Sequence, residues 1–531
     1  MWSMSGKELV AAAILVVVAV GVLFFIFSFV GLPDIAISDS GFVDDEGFAS
    51  WSCMLNTSGF IEVSLSDPSG LSVFSEEYYS GLHQVVIPLS SYRGSVKPGE
   101  YDLSIVDHRN RVVERRIVRV FEPSFIISDI VFSYLDVGGS YVLTGVMVTG
   151  KNTGSIPLYP TVFEVEVEEE KVSGFCVPEV VRGGESEQVF FDLSIIDLEK
   201  KPLSCVVSVF DASGKSLSDF ESTQTPFSSA ALDFSWRYLG RNRKVSTANL
   251  DSLYEFFSSR DRFDVQDYSV YVFSPFDDGT IDLLAYQLER IFGSGDEKEL
   301  INGVASFVRE AISYGEDVCP NGSSNDFEYP RFPVETLVDG VGDCEDTAVL
   351  LAALLNELDV NVSLLRMPNH MAVGVSLSED LAGYEPFFDG YYFLESTSNG
   401  GSVGWVPLEY RGQTNVSAYE LNQRPLVVQD WKKATRYSPS EGLDYVQLQV
   451  GIENVGSTSL TEAVLLVGFE SAGDSLVGLK SMPLEEIGVL DKSLIEIDLD
   501  IPFSVSGRLV SRVLVDGVLL SEKRSADVFE P

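Results

Sequence analysis

The sequence predicts a multidomain protein in which one α+β domain stands among all-β sandwich domains, behind an N-terminal transmembrane helix. Three observations predict this: a long uncharged run near the N-terminus, three segments of short alternating strands, and helical periodicity confined to the middle of the chain. With 531 residues, 45% of them hydrophobic, the chain can form several separate cores. We expect an anchor at residues 1–33, sandwiches at 34–123, 124–212 and 440–531, and the α+β domain at 228–428.

The first element is the uncharged run at residues 9–32. As a helix it would span about 36 Å, against a hydrocarbon core of about 30 Å. A cleaved signal peptide is the alternative, although its apolar stretch is normally about 7–15 residues. Lys7 lies on the short side and Asp34 begins the other, so the positive-inside rule puts the bulk of the chain outside the cell. We therefore expect a single-pass cell-membrane protein that contacts the lipid bilayer through residues 9–32.

The net charge of −44 argues against a nucleic-acid partner, because phosphate groups would repel the chain. Such a charge suits a soluble, self-repelling exterior surface.

The sandwich segments share short alternating runs, such as 60–65, 101–106 and 141–148, separated by turn residues. An internal repeat links two of them: Asn152-Thr-Gly and Asn454-Val-Gly each follow an alternating strand. We interpret this as a turn in which Asn and Gly adopt positive φ. The pattern predicts three immunoglobulin-like sandwiches that act as spacers or adhesive modules, with a chance repeat as the alternative.

Helical periodicity appears in the middle domain at 281–292 and 297–313, and again after Gly342-Asp-Cys-Glu-Asp346. The third helix carries one apolar face. That face comprises Ala348, Leu351, Leu354, Leu355 and Leu358.

Cys344 stands at the start of this third helix. A free thiol is only about 3% thiolate at pH 7, and a helix N-terminus favours the charged form. Asp343 suits the N-cap, whereas Glu345 and Asp346 put negative charge beside the sulfur and oppose thiolate formation. A cationic imidazole partner is therefore needed for Cys344 to act as a nucleophile. The alternative is a small buried residue at a helix start.

A histidine and an acid follow at suitable places. Residues 361–367 and 370–377 predict two strands joined by a Pro-Asn turn, with His370 opening the second. Glu395 falls in a third predicted strand. Adjacent antiparallel strands would set His370 and Glu395 side by side, so that the carboxylate orients the imidazole. Ordinary exposed strand residues are the alternative for both.

The order Cys344, His370, Glu395, with Gly-Asp-Cys-Glu-Asp opening a helix, resembles the transglutaminase-like (papain-like) superfamily, in particular its prokaryotic membrane-tethered members. The resemblance covers about residues 228–428. It implies Cys344 as nucleophile, His370 as general base and Glu395 as orienting acid. Many members have Asp in place of Glu395 and an aromatic residue soon after the histidine, where this chain has Met371-Ala-Val. The wall of the site is therefore expected to differ.

The other cysteines give fewer constraints. Cys176 and Cys205 lie in one predicted sandwich and could form a disulfide, which leaves Cys344 as the natural free thiol. The spacing contains no zinc motif, and we expect neither a metal nor a cofactor. The polar stretch 317–331 is read as a wall or lid of the cleft, in which Cys319 could cap the site, or as a plain surface loop.

Three functions fit these observations. The first is an exterior cysteine enzyme that transfers acyl groups from amide bonds of a protein or peptide substrate at the cell surface, either to water or to an amine. The second is an inactive scaffold of the same fold that binds a partner between adhesive sandwiches. The third is a structural surface-layer protein. An intact set of Cys, His and acid favours the first.

Overall fold

The computed structural model describes residues 32–122, 124–168, 170–198, 202–224, 227–228, 230–260, 262–263, 265–317, 328–397, 401–421, 423–437, 444–471, 476–501 and 506–529. They form two compact units, one comprising 32–90, 96–122 and 154–157, the other the rest. The structure is mostly β, as predicted. Every α-helix in these ranges lies between Asp251 and Glu357, which confirms that helical structure is confined to the middle of the chain.

The predicted transmembrane segment lies outside the described residues, apart from Leu32. Within the ranges given above, no helix has both the length and the apolar character needed to cross a bilayer. The anchor and the cell-membrane location stay predictions.

The first unit contains a sandwich of two antiparallel sheets. Its strands are β1 (Ile35–Asp45), β2 (Phe48–Thr57), β3 (Ile61–Ser66), β4 (Ser72–Tyr78), β5 (Gly81–Pro88), β6 (Gly99–Asp107) and β7 (Val112–Val120). One sheet has the order β1-β2-β5 and the other β4-β3-β6-β7. Residues of β3 alternate between buried and half-exposed, because successive side chains of a strand point to opposite faces.

A second sandwich opens the other unit. Its strands are β8 (Phe125–Val137), β9 (Ser140–Asn152), β10 (Val162–Val167), β11 (Glu170–Phe175), β12 (Ser186–Leu198), β13 (Leu203–Phe210), β14 (Ser216–Gln224) and β15 (Phe227–Ser228). The sheets have the orders β12-β9-β8-β15 and β11-β10-β13-β14. The sandwich thus continues to Ser228 instead of ending at residue 212. The polar stretch read as a linker is a tight turn at Asp211 followed by an edge strand, which explains its composition.

The middle domain combines helices with a small antiparallel sheet. Its elements are β16 (Ala231–Tyr238), β17 (Arg241–Ala248), α1 (Asp251–Ser259), α2 (Ser269–Val272), α3 (Asp278–Phe292), α4 (Glu297–Ala311), β18 (Ser313–Tyr314), α5 (Pro333–Asp339), β19 (Val341–Gly342), α6 (Cys344–Glu357), β20 (Val362–Met367), β21 (His370–Val375), β22 (Tyr392–Leu394), a 3₁₀ helix (Leu408–Tyr410) and β23 (Ser417–Glu420). The sheet has the order β22-β21-β20-β23. Helices α3 and α4 confirm the two predicted before the cysteine. The hairpin β16–β17 and helices α1, α2 and α5 were not predicted.

Helix α6 lies at the centre of this domain. Every residue from Glu345 to Leu355 is buried, so the prediction of a single buried face was wrong. Its apolar and small residues continue round the helix, as expected for a helix buried on all sides. Helices α3, α4 and α5 pack against it, together with β20 and β21. The start of α6 is therefore held in place from several directions.

The C-terminal sandwich begins at Val427, earlier than predicted. Its strands are β24 (Val427–Tyr437), β25 (Tyr445–Asn454), β26 (Ala463–Ser471), β27 (Leu476–Pro483), β28 (Lys492–Asp500), β29 (Gly507–Val515) and β30 (Val518–Phe529). The sheets have the orders β24-β25-β28 and β27-β26-β29-β30. Residues 429–437, read as a domain boundary, belong to a strand that pairs with β25 along its length.

The three sandwiches share one topology. In each, the first, second and fifth strands form one sheet, and the fourth, third, sixth and seventh form the other in that order. The short β15 is the one addition, on the edge of the second sandwich. This agreement supports the prediction of immunoglobulin-like sandwiches, and it is independent of the short sequence repeat.

The sequence repeat has a physical reason that differs from the predicted one. Asn152 and Asn454 each end the second strand of their sandwich, are fully buried and have negative φ. The Asn152 amide donates to Val181 O (2.8 Å), and the Asn454 amide donates to the equivalent Ile487 O (3.1 Å). Asparagine is required because its amide satisfies buried carbonyl groups, not because it tolerates positive φ.

The cysteines do not follow the predicted pairing. Cys53, Cys176, Cys205 and Cys344 are all free thiols. Cys176 lies beside Thr161 at the start of β10, whereas Cys205 pairs with Val167 at its end. Six residues of strand separate these positions by about 20 Å, and a disulfide needs Cα atoms within about 7 Å. The prediction that Cys176 and Cys205 could form a disulfide was therefore wrong.

Candidate active site

Cys344 is the first residue of α6, and Asp343 is its N-cap, as predicted. The Asp343 N–H donates to the Asp346 carboxylate (3.3 Å), which closes the first turn through a reciprocal capping box. The partly buried Cys344 lines an open cavity of about 640 Å³, whose wall also contains His370. The structure thus brings the predicted thiol and imidazole to one solvent-accessible cleft.

His370 begins β21, directly after the predicted Pro-Asn turn. Met367 pairs with His370 across this two-residue loop, and Asn369 adopts a positive φ of 58°. A left-handed residue is typical of such tight hairpins, and Asn tolerates it well. The turn and both flanking strands are confirmed.

Glu395 follows β22 and reaches His370 across the sheet. The two side chains, 3% and 8% exposed, are joined by a bond of 3.1 Å between Glu395 Oε2 and His370 Nε2. The register pairs Val373 with Leu394, so Glu395 continues opposite Ala372 and contacts His370 on the diagonal. The two residues are therefore neighbours, although they are not directly opposite as predicted.

The surroundings of Glu395 favour its charged form. Burial acts to raise its pKa, but hydrogen bonds from His370 and Thr397 outweigh burial and lower it. Its other oxygen, Oε1, accepts from the Ser396 N–H (3.0 Å), the Thr397 N–H (3.0 Å) and the Thr397 hydroxyl (2.8 Å). A carboxylate held by so many donors keeps one orientation and is well placed to fix the imidazole.

The groups around the Cys344 sulfur have opposite effects on the pKa of the thiol. The thiol donates to Glu345 Oε2 (3.2 Å). Burial, the charge of Glu345 and this hydrogen bond raise the pKa of Cys344, while the Met371 backbone N–H lowers it. The contact with Met371 puts the sulfur next to the residue that follows His370. The opposing effect of the flanking carboxylates was expected from the sequence.

Tyr410 forms a wall of the site that was not predicted. Its ring stacks on the His370 imidazole, with centroids 4.4 Å apart and planes at 2°. An aromatic face attracts a cation above it, so Tyr410 can stabilise a protonated imidazole. The sequence gives no local signal for this contact, since Tyr410 lies in a 3₁₀ helix far along the chain.

A hydroxyl pair connects the cysteine helix to the strand end that carries the acid. Thr347 Oγ1 lies 3.0 Å from Ser396 Oγ, and it also donates to Asp343 O (2.7 Å). Thr347 and Ser396 are both buried. This link fixes the start of α6 relative to the end of β22, and it too was missed by sequence reasoning.

Arg331 sits beside the cluster of acidic side chains at the start of α6. Its guanidinium bonds Asp317 (2.8 Å), Asp339 (3.2 Å) and the fully buried Asp346. Burial and the charge of Asp343 raise the pKa of Asp346 to about 7, although Arg331 acts to lower it. Arg331 thus partly compensates an otherwise costly buried acid.

The stretch read as a wall or lid is only partly described. Asp317 and residues 328–331 belong to this acidic neighbourhood, while Cys319 and the rest of the stretch lie outside the described residues. Asp317, Glu328, Asp343 and Glu345 come close enough together to hold a metal ion.

Comparison with known proteins gives no family. No family model matches the chain, and no curated protein matches it. Among solved structures, a transglutaminase from red sea bream is 10% identical, covering 70% of this chain and 78% of its own, with a TM-score of 0.17. Fibronectin(III)-like modules of Clostridium thermocellum CbhA are 10% identical over 37% of this chain and 95% of theirs, with a TM-score of 0.13.

A β-glycosidase from Bacteroides vulgatus is also similar, at 10% identity and a TM-score of 0.13. The match covers 37% of this chain and only 25% of the glycosidase. TM-scores this low establish neither a shared overall fold nor a shared activity.

Proposed function

We propose that this chain is a transglutaminase-like cysteine enzyme that transfers acyl groups from amide bonds of a protein or peptide substrate. Cys344 is the nucleophile, His370 the general base and Glu395 the acid that orients it. The observation that carries the proposal is the 3.1 Å bond between His370 and Glu395, with His370 and Cys344 both on the wall of one open cavity. Because Nε2 of His370 faces Glu395, Nδ1 is the ring nitrogen left to take the thiol proton.

The proposed reaction balances with these groups alone. The thiol proton passes to His370 as the sulfur attacks the amide carbonyl. The tetrahedral intermediate collapses, and the leaving amine takes the proton from His370. The resulting thioester is then attacked by water or by a second amine, whose proton passes to His370 and returns to the Cys344 sulfur. The uncharged run at residues 9–32 supports a membrane-tethered location outside the cell, where the sandwiches act as spacers.

Acylation of the sulfur tests the proposal directly. Full-length protein in detergent is treated with a thiol-directed acylating reagent, and intact mass spectrometry follows the modification. We expect wild-type protein to label on Cys344 much faster than a model thiol at the same pH, because His370 takes the thiol proton as the sulfur attacks, whereas a free thiol at pH 7 is mostly in its less reactive neutral form. A glutamine-containing peptide with a primary amine then separates transfer to the amine from hydrolysis.

The other thiols provide matched controls. Cys344→Ala should remove the fast modification, whereas Cys53→Ala should retain it, since Cys53 is a buried free thiol in a sandwich. Labelling of wild-type protein no faster than a model thiol would contradict the proposed catalysis.

The inactive scaffold remains a second candidate, and one observation favours it. The Cys344 thiol donates its proton to Glu345, so this geometry holds the sulfur in its neutral form. A scaffold of this kind would bind its partner in the same cavity without modifying it. The labelling experiment separates the two candidates, because a binding protein would react at Cys344 no faster than a model thiol and would not acylate itself with the peptide substrate.

A further inference from the structure

We propose that the substrate of Cys344 is a polypeptide that extends from the active-site cavity into a second cavity, where one of its apolar side chains binds between the middle domain and the C-terminal sandwich. This inference rests on the proposed function and adds a substrate preference to it. The second cavity has a volume of about 580 Å³, within the range of about 300–1,000 Å³ typical of ligand pockets. It was not predicted from the sequence, because its lining residues come from two domains.

The second cavity adjoins the cavity that contains Cys344 and His370. Gln266 and Tyr419 line both cavities, so the two meet at these side chains. The guanidinium of Arg366 donates to Gln266 Oε1 (2.5 Å) and to Gln266 O (3.3 Å), which holds Gln266 in position. A substrate chain that leaves Cys344 on this side therefore passes Gln266 and Tyr419 before it enters the second cavity.

Aliphatic side chains from both domains line the second cavity. Val518 and Leu519, at the start of β30, are 63% and 49% exposed. Exposed aliphatic side chains that gather beside a cleft indicate a binding surface, because their burial against a partner is favourable. Further aliphatic residues of the wall are Val265, Val270, Leu426 and Leu520. The second cavity therefore suits an apolar side chain of the substrate.

The charges on the wall of the second cavity are paired. Arg424 bonds Asp267 (2.7 Å), and Arg524 bonds Glu522 (2.9 Å) as well as Glu470 (3.1 Å). The wall thus contains two arginines and two acids, whose charges cancel. A charged side chain of the substrate would lose water in this cavity without gaining an unpaired partner among these four residues. The wall therefore favours an uncharged side chain over lysine or glutamate.

Arg424 also connects the two domains that form the second cavity. Its guanidinium donates to Asp267 (2.7 Å) and to the Ser269 hydroxyl (3.0 Å) in the middle domain. Its backbone N–H donates to Ser457 Oγ (3.1 Å) in the C-terminal sandwich. The cavity is therefore formed before a substrate arrives, and a preformed site binds its ligand without first having to order its own wall.

The sizes of the two cavities indicate which substrate residue occupies the second one. Compact cavities of about 640 and 580 Å³ are each roughly 10 Å across, a distance that an extended chain covers in about three residues. When the reactive amide lies at Cys344, a residue about three positions away in the substrate reaches the second cavity. We therefore expect a preference for an apolar residue at this spacing, on one side of the reactive glutamine.

Peptide binding tests this preference without requiring catalysis. Fluorescent peptides carry a central glutamine in a Gly-Ser chain, with a single leucine moved through the positions on either side, and a leucine-free peptide is the reference. Their affinity is measured by fluorescence anisotropy on full-length Cys344→Ala protein in lipid nanodiscs, which avoid free detergent that could fill an apolar cavity. We expect leucine about three positions from the glutamine to increase affinity about tenfold or more over the reference. This ratio should not change with salt concentration, because the charges of the wall are paired.

Variants of the cavity wall, made in the same Cys344→Ala protein, show where the leucine binds. Leu519→Ser should reduce the leucine preference by at least about threefold, and Val518→Ser, at a more exposed position, keeps the test valid if Leu519→Ser fails to fold. Leu479→Ser is the matched control: Leu479 is 51% exposed on β27, at the opposite edge of the same sheet, so its replacement should leave the preference unchanged.

Three results would overturn the proposal: no binding of any peptide, equal affinity for all peptides, or a leucine preference that the wall variants and Leu479→Ser leave equally large. Failure of wild-type Cys344 to become acylated is a separate result. It would contradict the proposed catalysis, whereas the leucine preference is measured on protein that lacks the nucleophile.

Discussion

Replacing Glu395 by glutamine gives the sharpest test of how the acid acts on His370. On the proposed mechanism His370 must carry its proton on Nε2, so that Nδ1 can accept the proton of Cys344. Glu395 imposes this arrangement because an ionised carboxylate only accepts hydrogen bonds. Glutamine has the same shape but has one oxygen and one NH2 group.

The orientation of that glutamine follows from the donors around it. Ser396 N–H, Thr397 N–H and the Thr397 hydroxyl all point at Oε1 of residue 395. Turning the NH2 group toward them would leave three donors unsatisfied, at about 1–3 kcal/mol each. The amide oxygen therefore takes the Oε1 position, and the NH2 group faces His370. It then donates to Nε2 and moves the imidazole proton to Nδ1, where it blocks acceptance from the sulfur.

Glu395→Gln is expected to reduce the acylation rate of Cys344 strongly. A hydrogen bond to a charged group contributes about 1.5–3 kcal/mol, which alone is roughly a 10- to 150-fold effect on the protonated imidazole. The wrong tautomer adds to this, since the equivalent acid-to-amide change in a Ser-His-Asp triad lowers kcat about 10⁴-fold. We expect the acylation rate of Cys344 at pH 7 to fall by at least about 100-fold, with little change in Tm.

The assay needs no known substrate. The rate of modification by a small acylating reagent is measured for wild type, Glu395→Gln and Glu409→Gln. Glu409 is an exposed acid next to Tyr410, so its variant removes a nearby charge without touching His370. Nitrogen-15 NMR of the chain's three histidines reports the tautomer independently. A Glu395→Gln rate within threefold of the Glu409→Gln rate would refute the reasoning about His370.

Three further predictions concern other parts of the structure. Burial raises the pKa of Asp192 to about 8, so the native state holds a proton that the unfolded chain (pKa about 3.9) releases. The free energy of unfolding therefore falls as the pH rises from about 4 to 8, by up to ~4 kcal/mol at pH 7. Asp192→Asn should flatten the corresponding fall in Tm with pH. In urea unfolding, Arg331→Met should lower the free energy of unfolding by about 3–5 kcal/mol, because Asp346 stays buried without its cation. Arg331→Lys should restore only part of that free energy. Tyr410→Leu should slow acylation of Cys344 by about two- to fivefold, because a cation–π contact with His370 contributes about 0.5–1 kcal/mol. An unchanged rate would exclude stabilisation of the protonated His370 by Tyr410.

Local signals in the sequence were sufficient where the structure depends on neighbouring residues. The cap at Asp343, the hairpin turn before His370 and the strands around it each follow from residues within one or two turns of chain. The domain ends were misplaced for a related reason. Edge strands such as β14 expose one side to solvent, so their polar composition resembles that of a linker.

The repeat at Asn152 and Asn454 shows the limit of local reasoning. The repeat itself was found, but its cause was misassigned, because the carbonyl group that both amides satisfy, of Val181 or Ile487, lies about 30 residues further along the chain. The same limit applies to the pairing proposed for Cys176 and Cys205. Both lie in one sandwich, yet only the strand register shows that they stand at opposite ends of β10.

The candidate site combines both kinds of information. The sequence could nominate Cys344, His370 and Glu395, because each residue type is rare or distinctive in its local setting. It could not nominate Tyr410 or Thr347, whose roles exist only after α6 packs against the sheet and the 3₁₀ helix folds over the imidazole. These two contacts hold together the helix, the strand and the loop whose side chains the proposed chemistry requires in one place. The thiol, imidazole and acid lie on separate elements, so the buried packing of α6 determines whether they form one site.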